Sequence, residues 1–268
     1  MTISVGSDPA YPSERIAELL VAFKLTTAAS QMSQRLVAAG LDSALAAVCE
    51  VLELEAAARS QRRVDRLRKG SKLPMGKTFE TLDESRFTRP LVARFRELGS
   101  GAFLERAGNV LAFGLPGTGK THVACALGHA LVQAGHSVLF TPTYQLVQHL
   151  LVARRDLTLP RALRALDVFD LLILDDLGYV QQTSDEAEVL FTLLAERYER
   201  KSIFITSNLV FSHWDRIFKN PMATAAAIDR LVHHATILEF DVDSFRGREA
   251  KKQNPRNNDN HTTPTTRG

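Results

Sequence analysis

Hydrophobic and polar positions follow two different patterns along the chain, and the change falls near residue 78. Before it, apolar residues recur three and four positions apart, beginning with Ile16, Leu19, Leu20 and Phe23. This spacing predicts an amphipathic helix with Ser13 as a candidate N-cap. Similar patterns predict a second helix over 30–39 and a third from Asp42 into a basic stretch that ends near Gly70. We therefore predict a small all-helical N-terminal domain with a basic linker over residues 1–77.

After residue 78, short apolar runs alternate with helical patterns. The runs cover 109–114, 136–142, 170–176 and 201–208, and the helical patterns cover 120–134, 143–154, 160–166 and 185–200. Continuous apolar runs are typical of strands that are covered on both faces, as in a parallel sheet flanked by helices. The pattern predicts an α/β domain over 78–250. The tail over 251–268 has almost no apolar residue, so we expect it to be disordered.

Composition narrows the class of protein. The chain has 268 residues, of which 45% are hydrophobic and 24% charged, and this excludes collagen-like, mucin-like and wholly disordered proteins. No apolar stretch approaches the roughly 18–20 residues of a membrane span, so we expect a soluble intracellular protein. Cys49 and Cys125 lack metal-site spacing and are expected to be reduced core residues. Adjacent His233 and His234 should point in different directions, which argues against a shared metal.

The basic residues are concentrated in one segment. The net charge is +3, and residues 59–77 contain eight Lys or Arg but only one acid, Asp65. Such a stripe can neutralise phosphates and release counterions, which favours contact with nucleic acid or an acidic partner. The alternative is a solvated helix end and linker. The candidate nucleic-acid-binding residues are Arg59, Arg62, Arg63, Arg66, Arg68, Lys69 and Lys72.

A phosphate-binding motif follows the first apolar run. It fits the pattern GxxxxGK[ST] and consists of Gly114, Leu115, Pro116, Gly117, Thr118, Gly119, Lys120 and Thr121. The glycines let backbone N–H groups surround a polyphosphate, and the start of the next helix adds partial positive charge. Lys120 can reach the β and γ oxygens, and the Thr121 hydroxyl is a hard ligand for Mg²⁺. The motif predicts a nucleotide site.

Polar residues end two further strands. Asp175 and Asp176 follow the run 171–174, where the carboxyl edge of an open parallel sheet places its ligands. We expect Asp175 to hold Mg²⁺ and Asp176 to act as a base or to orient water. Asn208 ends the run that begins at residue 201, and it could bond the attacking water or the γ-phosphate if the strands are neighbours. Its alternative role is a helix cap or turn.

These motifs, in this order, resemble the AAA+ ATPases. More narrowly, the chain is similar to the IstB-like transposition helper ATPases of bacterial insertion sequences, which are relatives of the DnaC helicase loaders. The stretches that carry the resemblance are GLPGTGKTHVACALGHAL (114–131), LLILDDLGYV (171–180), ITSNLVFSHW (205–214), AAIDRLVHHATILEF (226–240) and SFRGREA (244–250).

The resemblance implies roles that the spacing alone does not. Asn208 matches the sensor-1 position, Arg230 matches the arginine finger that enters a neighbouring subunit's site, and Arg246 matches the sensor-2 arginine. A guanidinium offers forked donors to phosphate oxygens, which suits both arginine roles. Many AAA+ proteins carry Asp-Glu where this chain has Asp175 and Asp176, so we expect slow hydrolysis that depends on assembly.

The leading functional hypothesis is an ATP-dependent, DNA-binding regulator of transposition in the bacterial cytoplasm. ATP and Mg²⁺ would promote self-association, the assembly would bind double-stranded DNA and recruit or activate a cognate transposase, and hydrolysis would reset it. One alternative is a replicative helicase loader of the DnaC type. Others are a small-molecule kinase with a lid over 154–164 and a scaffold that binds ATP without useful turnover.

Overall fold

The computed structural model describes residues 11–178, 183–218 and 221–241. The chain divides into two compact units, residues 1–66 and 67–268. The division lies before the predicted boundary at residue 77, which stays a prediction. Two further expectations, the sensor-2 role of Arg246 and the disorder of 251–268, lie outside the described residues.

Three helices form the described part of the N-terminal unit, as the apolar spacing predicts. They are α1 (Tyr11–Ala22), α2 (Thr26–Ala38) and α3 (Ala44–Ser71), the last of which continues past the division between the units. The buried core comprises Ile16, Leu20, Leu45 and Cys49. α3 ends at Ser71, one residue after Gly70, where the sequence predicts its end. There the Ser71 hydroxyl donates to the carbonyl oxygen of Arg68 (2.8 Å), and Lys72 adopts a left-handed φ of 55°.

The second unit alternates strands with helices. Its strands are β1 (Asn109–Gly114), β2 (Val138–Pro142), β3 (Leu171–Leu177), β4 (Ser202–Ser207) and β5 (Ala235–Phe240). Its helices are α4 (Arg89–Gly99), α5 (Ala102–Glu105), α6 (Lys120–Gln133), α7 (Thr143–Arg155), α8 (Leu159–Leu166), α9 (Ser184–Arg197), α10 (Asp215–Phe218) and α11 (Pro221–Val232), with short 3-10 helices at Glu84–Arg86 and Phe211–His213. The four predicted strands form within two residues of their expected ends.

The strands form a five-stranded parallel sheet in the order β2-β3-β4-β1-β5, as the apolar runs predict. β4 therefore lies between β3 and β1, so the carboxyl ends of all three are neighbours at one edge. The edge strand β5 was not predicted, because its residues alternate between buried and partly exposed instead of forming a continuous apolar run.

Helices cover both faces of the sheet. On one face, Leu111, Leu172 and Ile205 pack into a core shared with α7, α9 and α11. On the other face lies α6, where a Cβ added at Gly128 would come within 3.0 Å of the Ile173 Cδ1 atom. This arrangement is why every residue of β4 is buried. Each helix in the described parts of the chain is too short or too polar to cross a membrane.

Candidate functional site

The phosphate-binding motif forms a tight loop between β1 and α6. Gly119 has a φ of 104°, and a Cβ at this position would lie 3.1 Å from the Phe87 Cζ atom. A Cβ at Gly114 would lie 2.6 Å from the carbonyl oxygen of Phe240. Both positions therefore require glycine, for conformation and for space. The loop ends at the N-terminus of α6, where backbone N–H groups favour an anion.

The Lys120 side chain is held inside this loop. Lys120 is only 5% exposed, and its Nζ atom donates to the carbonyl oxygens of Gly114 (2.7 Å) and Leu115 (2.9 Å). Thr118 is also buried, and its hydroxyl donates to the same Leu115 oxygen (2.8 Å). The loop thus fixes a positive charge at its centre, within reach of a phosphate that its amides would bind.

Asp175 joins the ends of three elements. The Thr121 hydroxyl donates to its Oδ1 atom at 2.9 Å and the Thr206 hydroxyl at 2.6 Å, while Thr143 donates to its backbone oxygen at 2.9 Å. Burial raises the pKa of Asp175 above its ordinary value, and the two hydroxyl bonds oppose that rise. Thr121 and Asp175, predicted as metal ligands, are therefore adjacent. Their hard oxygen atoms fit the donor set that Mg²⁺ prefers.

A β-bulge at the end of β3 redirects Asp176. Leu174 pairs with Ile205 and Leu177 pairs with Ser207, so β3 carries one extra residue between these pairs. Asp176 has a left-handed φ of 56°, and its N–H donates to the Thr206 hydroxyl (2.9 Å). Residues that follow one another in a regular strand point to opposite faces. The bulge removes this constraint, and Asp176 lines the cleft beside the phosphate loop.

These groups meet in a cleft of about 380 Å³. It is lined by residues from 116 to 122, in the loop and the start of α6, and by residues of the segment between 77 and 86. Asp176 and Asn208 complete the lining at the sheet edge. Because β4 lies between β1 and β3, Asn208 follows the strand next to the phosphate loop, and its sensor-1 role stays a prediction.

The comparisons with known proteins match this site to one family. The family model described as IstB-like ATP binding protein matches residues 16–253. The chain belongs to this family. An insertion-sequence ATP-binding protein of Sinorhizobium fredii is 48% identical over 201 residues, which cover 75% of this chain and 67% of the relative. The IS21 ATP-binding protein of Pseudomonas aeruginosa is 41% identical over 208 residues, covering 76% and 77%.

Solved structures share the fold of this IstB-like chain. DnaA from Aquifex aeolicus, bound to AMPPCP, superposes with a TM-score of 0.53 at 20% identity, covering 68% of this chain and 56% of DnaA. DnaI superposes with a TM-score of 0.52 at 19% identity, covering 63% of this chain and 95% of DnaI. At this identity the likeness concerns the fold, which is that of the AAA+ P-loop ATPases.

Arg230 lies apart from the cleft of this IstB-like protein. It is half-buried on α11, and its Nη1 atom donates to the carbonyl oxygen of Ala226, one turn earlier (3.2 Å). Its guanidinium carbon lies 5.1 Å from the centre of the Phe191 ring. Arg230 is absent from the lining of its own chain's cleft, as far as the described residues define that lining. The arginine-finger role of Arg230 stays a prediction.

The basic stripe is exposed but partly paired. All seven candidate nucleic-acid-binding residues are exposed. The Glu55 carboxylate bonds Arg59 (2.6 Å) and Arg62 (3.0 Å), and Arg59 also lies 4.1 Å from the centre of the Phe23 ring. The charge count over 59–77 missed Glu55 because it began after that residue. The Glu55 carboxylate therefore offsets part of the positive charge of Arg59 and Arg62, two of the candidate nucleic-acid-binding residues.

Three residues of the site were missed by sequence reasoning. Lys77 and His122 line the cleft, and Thr206 holds Asp175 and Asp176. Thr206, near the end of β4, stands two residues before Asn208, so period-two spacing could have indicated that both reach the same edge. Lys77 gave no comparable signal, since its place depends on how the chain folds back onto α6.

The expectation for the two adjacent histidines was wrong. The ring centroids of His233 and His234 are 4.1 Å apart. They lie between the end of α11 and the start of β5, where neither helical nor strand spacing applies. The Tyr198 hydroxyl lies 3.0 Å from the Nδ1 atom of His233, and a Glu199 carboxylate oxygen lies 3.7 Å from the same atom. The two rings therefore share one exposed patch.

Proposed function

We propose that this IstB-like protein is a Mg²⁺-dependent ATPase that binds DNA and regulates transposition in the bacterial cytoplasm. The observation that carries the proposal is the meeting of Lys120, Thr121 and Asp175 at one sheet edge, with Thr121 and Asp175 joined at 2.9 Å. A phosphate loop and a buried carboxylate in this relation are the two parts that P-loop ATPases use to bind a triphosphate with its metal.

The residues of the loop supply the nucleotide site. Backbone amides between Gly114 and Thr121 would bind the phosphates, and Lys120 would contact the β and γ oxygens. Thr121 and Asp175 would hold Mg²⁺, which neutralises negative charge that develops on the phosphates. The Lys120 ammonium already faces oxygen acceptors on the loop, so phosphate oxygens would replace carbonyl oxygens as its partners.

Hydrolysis would use the side chains at the ends of β3 and β4. Asp176 would orient or deprotonate the attacking water, and Asn208 would bond that water or the γ-phosphate. An aspartate reaches one methylene less far than a glutamate at this position, so turnover should be slow in a single subunit. Arg230, supplied by a neighbouring subunit, would complete the site, and Arg246 would act as the sensor-2 arginine.

Transposition is favoured because the relatives are insertion-sequence proteins. The ATP-bound form would self-associate on double-stranded DNA, using exposed basic residues of α3 and the residues after it, and would recruit or activate a transposase. A DnaA structure of the same fold contains single-stranded DNA and AMPPCP. A gene for a transposase beside the gene for this chain would favour transposition over helicase loading.

Calorimetry with ATP and Mg²⁺ tests the nucleotide site. The parent protein should release or absorb heat that Lys120→Ala abolishes, while Lys24→Ala, which alters an exposed lysine of the N-terminal unit, should behave like the parent. Asp176→Asn should bind ATP and lose phosphate release. If Lys120→Ala binds ATP as tightly as the parent, the proposed site is wrong.

Gel filtration and electron microscopy test the assembly. The parent protein with ATP and duplex DNA at low salt should form a large complex, and Arg230→Ala should bind ATP without assembling. A parent protein that stays monomeric and unbound under these conditions contradicts the proposed role on DNA.

A further inference from the structure

The second wall of the cleft carries a lysine that the phosphate motif does not include. Lys77 is half-buried and lines the cleft together with residues of the phosphate loop. In the described parts of the chain, its ammonium has no hydrogen bond or ion pair. Lys120 lines the same cleft from the phosphate loop. Two lysines, Lys77 and Lys120, thus border one cleft.

His122 fixes the backbone on one side of Lys77. The Nε2 atom of His122 lies 3.0 Å from the carbonyl oxygen of Thr78 and 3.2 Å from the Thr81 hydroxyl. That hydroxyl donates to the carbonyl oxygen of Gly76 (2.8 Å) and accepts from the Thr78 N–H (3.0 Å). Residues on both sides of Lys77 are therefore tied to the side chain that directly follows Thr121 in the chain.

The preceding residues are fixed along the same helix, α6. The Nε2 atom of His129 lies 3.1 Å from the carbonyl oxygen of Pro74. A Cβ added at Gly128 would come within 2.7 Å of a Leu73 methyl carbon, so this close approach requires glycine. The segment from Leu73 to Thr81 is thus held on the helix that begins at the phosphate loop.

This arrangement separates Lys77 from the other basic residues of the 59–77 stripe. Lys72 is exposed, whereas Lys77 is half-buried against the cleft. A partly desolvated ammonium beside amides that bind phosphate interacts with anions more strongly than an exposed one. The chemistry that suits it is a phosphate oxygen, from a nucleotide or from DNA, and its place in the cleft favours the nucleotide.

We propose that Lys77 is a second phosphate-binding lysine of the cleft, which contacts the nucleotide together with Lys120, and that His122 positions it. The proposal rests on the proposed nucleotide site. In it, the segment that leads out of α3 forms part of the site that binds the triphosphate.

Calorimetry of the full-length protein with ATP and Mg²⁺, without DNA, tests the contact. Lys77→Gln should weaken ATP binding about tenfold, the size expected for one charge-assisted hydrogen bond, and Lys77→Arg should recover part of the loss. Lys24→Gln is the matched control and should leave the affinity unchanged. Thermal unfolding without nucleotide should give the same midpoint for Lys77→Gln and the parent.

The outcomes distinguish this proposal from the one it rests on. If Lys77→Gln binds ATP as tightly as the parent protein while Lys120→Ala does not bind it, the role of Lys77 is overturned and the proposed nucleotide site stands. If Lys120→Ala also binds ATP normally, the site itself is refuted. If Lys77→Gln weakens only duplex DNA binding, measured without nucleotide, Lys77 is a DNA contact and the proposal fails.

A double-mutant cycle tests the positioning by His122. His122→Ala should weaken ATP binding severalfold in the parent but have little further effect in Lys77→Gln, because both changes remove the same contact. His122→Gln keeps an N–H near the position of Nε2 and should restore binding. Losses that multiply in the double variant, or a glutamine that fails to restore binding, would refute the positioning role.

Discussion

The Thr206 hydroxyl contacts both aspartates of the site, and Thr206→Val tests what these contacts do. The threonine is fully buried in β4. Its hydroxyl donates to the Asp175 carboxylate at 2.6 Å and accepts the Asp176 N–H at 2.9 Å. Valine keeps the shape of the side chain but removes both bonds, and no water can replace them at a site without exposure.

The two lost bonds set the expected change in stability. A buried bond to a carboxylate contributes about 1.5–3 kcal/mol and a neutral one about 1 kcal/mol, while the added methyl of valine offsets part of the loss. We expect Thr206→Val to lower the free energy of unfolding by about 2–3 kcal/mol. For a unit of this size, that corresponds to a fall in Tm of roughly 5–10 °C.

Catalysis should suffer more than ATP binding. The Thr206 hydroxyl holds the backbone of Asp176 in the bulge, whereas the Lys120 ammonium donates to carbonyl oxygens of the loop. In phosphate-release assays with saturating ATP and Mg²⁺, below the Tm of the variant, kcat should fall at least about tenfold. The Kd for ATP, measured by calorimetry, should change by less than about threefold.

Thr206→Ser separates the hydroxyl from the rest of the side chain. Serine keeps both hydrogen bonds and loses one methyl, so its kcat should stay near that of the parent despite a stability loss of about 1 kcal/mol. If serine is as inactive as valine, packing of the methyl and not the hydroxyl explains the effect. A fully active valine variant would show that Thr206 does not position the two carboxylates.

Three further predictions concern the rest of the fold. Burial tends to raise the pKa of Asp170, but hydrogen bonds from Lys201 and Ser137 outweigh it and lower this pKa to about 2. The ionised carboxylate therefore stabilises the folded state above about pH 4, and this stabilisation is lost as the pH falls towards 2. Allowing for solvent screening, Asp170→Asn should cost roughly 1 kcal/mol at pH 7 in urea unfolding, and this cost should shrink as the pH falls towards 2. The Arg197 guanidinium donates to the carbonyl oxygens of Leu166 (3.0 Å), Phe169 (2.9 Å) and Ser202 (3.0 Å). Arg197→Lys should therefore lower the free energy of unfolding by about 2–3 kcal/mol, whereas the control Arg200→Lys, at an exposed position, should lower it by less than about 0.5 kcal/mol. Burial raises the pKa of Cys125 to about 12 and also raises that of Cys49, so mass spectrometry should find neither thiol alkylated by iodoacetamide until denaturant is added.

Sequence reasoning succeeded where the determining residues are close together in the chain. The strands β1 to β4 were predicted because both of their faces are buried, which leaves continuous apolar runs. The phosphate loop was predicted because eight consecutive residues carry its chemistry. The pairing of Arg59 and Arg62 with Glu55 was missed although it could have been predicted, since these residues are four and seven positions apart on one helix.

It failed where contacts join distant parts of the chain. The backbone next to Lys77 is held by a contact with His122, which stands more than forty positions later, so no local pattern predicts this contact. The extra residue in β3 is defined only by pairing with β4, and a register of this kind cannot be seen in either strand alone. The edge strand β5 was missed because its one-sided burial lacks the pattern that identified the central strands.

The strand order explains why Thr206 and Asn208 are the residues that complete the site. If the strands were ordered as in the sequence, β2 and not β4 would lie between β1 and β3. With β4 inserted between β1 and β3, the loop and Thr121 reach Asp175 across the end of β4. Any side chain at that end must lie between the phosphate loop and the carboxylates. A hydroxyl at Thr206 satisfies both aspartates there, and the amide of Asn208, two residues on, extends from the same edge into the cleft.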